Sequence, residues 1–181
     1  EIGSEYYAIP INPYYNHTFS QQIYTQSEIG TGAGIITKIA FKQYNTANTP
    51  GRKIKVYMQN VSKSSFTSYS DWVAVADSDE VFNGDINLPG DGQDLEITLS
   101  SSFAYTGENL LISVCDYTGS YTSPQVSFYT YKTADVRSLI VRSDPTPYNP
   151  LNMSNVEATA APKQNNIIDI TIKTGSAPST P

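Results

Sequence analysis

The feature that most restricts the fold of this chain is a short, nearly continuous apolar run from Leu110 to Cys115. It is set between a Thr106-Gly-Glu-Asn109 turn and a second turn from Asp116 through Gly119. An aromatic pair, Phe103 and Tyr105, precedes it. An apolar run of this length between turn residues is the pattern of a strand buried on both faces.

The rest of the chain repeats short strand, Gly/Asn/Asp/Pro turn, short strand. Glu5–Ile11 reads as an edge strand stopped by Pro10 and Pro13. Phe19–Thr25 places Phe19, Gln21 and Ile23 on one face, and Glu28–Gly34 reads as a loop. In Ile35–Tyr44, Ile35, Thr37, Ile39 and Phe41 face one way. In Lys53–Val61, Ile54, Val56 and Met58 point inward, with Lys53, Lys55, Tyr57 and Gln59 outward. Trp72–Ala76, Val81–Ile86, Leu95–Leu99, Gln125–Tyr131, Ser138–Arg142 and Ile167–Lys173 complete the strands. They number roughly ten at a spacing near ten residues, and no i, i+3, i+4 stripe marks a long helix. The expected fold is all-β: an antiparallel two-sheet β-sandwich of jelly-roll type, which removes most open edges. Residues 1–173 read as one module and 174–181 as a Ser/Pro-rich linker. Glu1-Ile2-Gly3-Ser4 looks like a cut inside a longer polypeptide.

Composition narrows the function classes. Charged residues are only 15% of the 181, and the net charge is −6. The basic residues are scattered, which argues against nucleic acid as a partner. The surface is left to Ser, Thr, Asn, Gln and an unusual 14 tyrosines, whose rings and hydroxyls suit half-wet positions. The single cysteine, Cys115, excludes an internal disulfide and a multi-cysteine zinc site, and reads as a small buried hydrophobe. No signal peptide or membrane span is legible.

Catalytic motifs do not stand out. The one histidine, His17, lies in a turn without a nucleophile signature, and Glu96, Glu108 and Asp116 cannot be paired from sequence. Asp116 ends the buried strand and is expected to accept backbone N–H bonds at the turn. Asp77 and Asp79 in one acidic loop, and Asp91 and Asp94 in another, are candidates for a structural calcium ion; no other cofactor is expected.

Sugar binding needs flat rings for pyranose faces and amides for hydroxyls. Tyr129 and Tyr131, two apart on a strand, project from one face about 7 Å apart. Tyr117 and Tyr121 flank the preceding turn and extend the platform, Gln125 adds a polar contact, and Trp72 and Tyr57 are further candidates. Tyr14, Tyr15 and Tyr148 lie in loops that line a cleft end.

Several phrases carry a family resemblance. They are Ser20-Gln-Gln-Ile-Tyr24 with Glu28-Ile-Gly30, Ile36–Phe41 with Lys55-Val-Tyr-Met58, Phe66–Trp72, Phe103–Asp116 with Tyr117-Thr-Gly119, and Arg137-Ser-Leu139. In that order, across Gln21 to Ile172, they resemble a β-sandwich module of large secreted and surface proteins of the Bacteroidota. There it looks like an accessory unit beside hydrolase, fibronectin-like and sorting modules. The resemblance implies a galactose-binding-like or carbohydrate-binding-like jelly roll, a secreted or cell-surface location and neighbouring modules in the same polypeptide. It carries no ligand residues. The expected function is therefore a non-catalytic carbohydrate-binding module, monomeric, with polysaccharide as partner. The alternative is a structural or adhesive, protein-binding spacer.

Overall fold

The computed structural model describes residues 5–174. The expected linker falls outside them except for Thr174, which ends the last strand. Among the described residues there are eleven strands: β1 (Tyr6–Tyr7), β2 (His17–Tyr24), β3 (Gly34–Tyr44), β4 (Gly51–Val61), β5 (Glu80–Asn87), β6 (Asp94–Tyr105), β7 (Asn109–Asp116), β8 (Ser127–Lys132), β9 (Ser138–Ser143), β10 (Gln164–Asn166) and β11 (Ile168–Thr174). A one-turn helix, α1 (Gln26–Ile29), and a 3-10 turn at Asp77–Asp79 complete the elements. No helix among the described residues is long and apolar enough to cross a membrane.

All pairings between strands are antiparallel. One sheet runs β5-β4-β7-β2-β9. In the other, β1 pairs β8, β8 pairs the end of β3, and β3 pairs β6. Both β6 and β11 pair the same span of β3, so they lie on opposite edges of it. The first eight strands therefore order as β1-β8-β3-β6 against β2-β7-β4-β5, with consecutive strands crossing between sheets except at the β4–β5 hairpin. That connectivity is a jelly roll. β9 widens the second sheet, and β10 and β11 take up the edge that the short β8–β3 contact leaves open.

The core lies between the sheets. Ile36, Ile39 and Phe41 of β3 and Leu95, Ile97 and Leu99 of β6 meet Ile54, Val56 and Met58 of β4 and Leu110, Ile112 and Val114 of β7. Each such side chain contributes about 1.5–3 kcal/mol by leaving water. β7 is buried on both faces: its alternate residues Leu111 and Cys115 point away from the core into two further apolar clusters. Those clusters are closed by the segments 66–76 and 148–158, which lie over the outside of the second sheet as a third layer. Phe66, Val75, Met153 and Ala158 are their buried anchors.

That layer corrects several expectations. Tyr57 has the outward direction its register predicts, but it is only 2% exposed, because Val75 and Met153 cover it. Residues 72–76 form no strand; they run as an irregular covering segment. Trp72 is half-buried there, its ring 5.3 Å from that of Phe19 and its Nε1–H donating to the Val156 carbonyl at 2.8 Å. In β3 the alternation breaks at a bulge between Ile36 and Lys38, which face the consecutive β11 residues Ile172 and Thr171. The extra residue puts Ile36 with Ile39 and Phe41 and leaves Ile35 42% exposed. The expected loop at 28–34 begins with α1, and β10, whose sequence is all polar, was not legible.

Candidate functional site

A groove runs along the open side of the sandwich, where β1 and β8 of one sheet approach β9 of the other. Its first stretch, of about 450 Å³, is lined by Tyr6, Tyr7, Asn12, Gln125, Ser127 and Arg142, among others. Its second stretch, of about 540 Å³, shares Tyr7, Thr159 and Ala160 with the first and continues past Tyr69, Lys132 and Lys163. Burial raises the pKa of the Tyr7 phenol, and the nearby Arg142 cation opposes that shift.

An aromatic cluster stands beside the first stretch. Tyr14 (45% exposed) and Tyr121 (63% exposed) are the outermost rings, with centroids 6.2 Å apart. Tyr15 meets Tyr14 edge-on at 5.8 Å. The Arg142 guanidinium lies 4.4 Å from the Tyr15 ring centre, a cation–π contact that ties the rings to the groove wall. Asn12 makes a second tie, its Oδ1 accepting the Tyr14 N–H at 3.3 Å.

The loops that carry these rings are fixed from below by a buried ion pair. Arg52 extends from β4 and Asp116 ends β7; both are almost wholly buried. Arg52 donates to Asp116 Oδ2 through Nε at 2.8 Å, to the Ser120 carbonyl through Nη1 at 2.7 Å and to the Tyr15 carbonyl through Nη2 at 3.0 Å. Asp116 Oδ1 accepts the Thr118 N–H at 3.0 Å and its hydroxyl at 2.6 Å, which is the turn role expected for it. Burial pushes the Asp116 carboxyl above its ordinary pKa, while Arg52 and the Thr118 bonds pull it back. One guanidinium thus pins the loop of Tyr14 and Tyr15 to the loop of Tyr121.

Further bonds join the same loops. Thr122 N–H donates to the Pro13 carbonyl at 2.8 Å and Gly119 N–H to the Asn16 carbonyl at 3.0 Å. Gly119 sits at φ +80°, a conformation that disfavours any side chain. Asn45 Nδ2 donates to the Gln125 carbonyl at 3.0 Å. The rings therefore rest on a frame assembled before any ligand arrives.

No protein-family model, no curated protein and no solved structure matches the chain. The site therefore rests on its own geometry.

The structure separates the residues expected to form one platform. Gln125 lines the groove and Tyr121 stands in the adjoining cluster. Tyr129 is one step removed, edge-on to Tyr44 at 5.8 Å, and Tyr44 stacks at 4.0 Å on Tyr6 of the groove wall. Tyr131 is turned to another task. Its hydroxyl donates to Glu28 Oε2 at 2.7 Å, and burial followed by that bond raises its pKa. Tyr117 lies outside the second sheet, its hydroxyl 2.6 Å from Asn83 Oδ1 and its ring under Lys55. Tyr57 and Trp72 belong to the covered layer, so neither joins a sugar platform.

The acidic loops are built into turns and pairs. Asp79 Oδ2 accepts the Ala76 N–H at 2.9 Å, Asp91 Oδ1 accepts the Asn45 N–H at 2.7 Å, and Asp94 lies 3.1 Å from Lys42 Nζ. Asp77 opens the 3-10 turn that Asp79 closes. Among the described residues no group of three or more His, Cys, Asp or Glu side chains converges as a metal site would. Tyr6, Tyr7, Asn12 and Arg142 were missed because their meeting depends on pairings such as Tyr6 with Tyr129, remote in sequence.

Proposed function

We propose that this chain is a non-catalytic carbohydrate-binding module, holding a secreted or cell-surface protein against a polysaccharide. The observation that carries the reading is the pair of exposed rings, Tyr14 and Tyr121, fixed in stitched loops beside a groove lined by Asn12, Gln125 and Ser127. Tyrosine offers large, rigid contact area at low cost in side-chain entropy. A ring covers the apolar face of a pyranose, while amides and hydroxyls satisfy the sugar's hydroxyl groups. Loops already ordered by the Arg52–Asp116 pair lose little further freedom on binding, which favours affinity.

Affinity electrophoresis in gels containing cellulose, xylan, mannan, glucan or pectin tests this. At least one polymer retards the protein, and the Tyr14→Ala/Tyr121→Ala double variant migrates as if that polymer were absent. Tyr131→Phe, which alters a ring outside the groove, stays retarded. Free migration through every polymer would instead favour a protein-binding spacer.

A further inference from the structure

We infer that the polysaccharide this groove selects is acidic, its sugar units carrying carboxylate or sulfate groups. The inference rests on the carbohydrate-binding reading above and names the ligand class for the same groove.

The chain carries 17 acidic residues against 11 basic ones, so a random stretch of its surface is more often acidic than basic. The two joined stretches of the groove reverse this. Arg142, Lys132 and Lys163 line them, and no Asp or Glu is among the described lining residues. The basic side chains elsewhere are mostly engaged: Lys38, Lys42, Arg52, Lys53, Lys63 and Arg137 each lie within 4.0 Å of a carboxylate. In the groove, Lys132 pairs with Glu5 at 3.4 Å, but its side chain stays 76% exposed. Arg142 and Lys163 have no carboxylate partner among the described residues.

Arg142 also has the right chemistry. Its guanidinium is packed over the Tyr15 ring, and a guanidinium held by a ring face keeps planar N–H donors for a carboxylate or sulfate edge. The cations are distributed along the groove rather than clustered: Arg142 in the first stretch, Lys132 and Lys163 in the second, with Tyr7 between. Repeating acid groups on a sugar chain match such a line better than a single small anion does.

The test measures retardation of the full chain by two matched pairs of polymers, polygalacturonate with its methyl ester and dextran sulfate with dextran. The acidic member of at least one pair binds about tenfold more tightly than its neutral partner. Arg142→Gln and Lys163→Gln each weaken that binding about fivefold. Lys53→Gln, the same charge change at a distant pair with Asp85, leaves it unaltered. Raising the salt from about 0.05 to 0.5 M narrows the gap between pair members.

Equal binding of the acidic and neutral members, an equal loss in Lys53→Gln, or equal retention by polyglutamate would each overturn the inference. Binding to a neutral polymer alone would overturn it and leave the carbohydrate reading standing. Binding to no polysaccharide would remove both.

Discussion

At the scale of single residues, the loops that carry the candidate rings depend on two buried side chains. Arg52 and Asp116 are buried together, and Arg52 spends its remaining donors on the carbonyls of Tyr15 and Ser120. Removing one partner leaves a charge buried without its counterion. Asp116→Ala is expected to cost about 3–5 kcal/mol, read as a fall in the urea midpoint at unchanged slope. Replacing both partners with apolar residues of similar volume recovers most of that loss, yet it frees both loops, so polymer binding stays weakened. A double variant that binds normally would mean the pair does not organise the rings. The sequence placed Asp116 at the strand end and gave it a turn-capping role, and it has that role. It offered no hint of Arg52, because 64 residues separate the two. Cys115 was the easier case: a cysteine inside an apolar run is buried, and burial pushes its thiol pKa up to about 12.

At the scale of elements, α1 shows how a short helix is held by charge. Glu28 accepts the Thr25 N–H at 2.8 Å, closing the helix start, and also bonds the Tyr131 hydroxyl of β8 and Arg137 just before β9. Burial alone would raise the Glu28 pKa; the bonds from Tyr131, Thr25 and Arg137 outweigh it and hold the carboxyl below its ordinary range. A lowered carboxylate pKa stabilises the fold above the ordinary Glu range, and that stability is lost as pH falls through the lowered value. The melting temperature of Glu28→Gln should therefore lie below that of the parent chain at pH 7, the gap closing below about pH 4. A gap independent of pH would contradict this.

Strands were legible from alternation, as in β4 and β6, or from a continuous apolar run, as in β7. The misplacements of Tyr57 and Trp72 share one cause. Alternation tells which way a side chain points, but not what lies over that face. Tyr57 points outward as its register requires, and the segments around Val75 and Met153 bury it. Trp72 and its neighbours look like a strand because they are apolar, but their apolar side chains serve that covering layer.

At the scale of the whole molecule, the jelly roll brings remote segments to one edge. β1 reaches β8, β9 lies beside β2, and the loops after Ile11 and after Asp116 meet over the Arg52 guanidinium. The sandwich and its strand count follow from turn spacing and the lack of a helical stripe. The groove follows from topology, which strand pattern alone does not contain; the strand pattern points to Tyr129 and Tyr131 of β8 and not to the edge groove. A bound oligosaccharide is expected to lie in this groove, beside Tyr14 and Tyr121. The most direct test is a backbone amide NMR titration with an oligosaccharide cut from whichever polymer retards the protein. The largest shifts are expected on residues 6–15, 119–127, 142 and 159–160. Shifts confined to Tyr117, Lys55 and the outside of the second sheet, or none at saturating ligand, would contradict it.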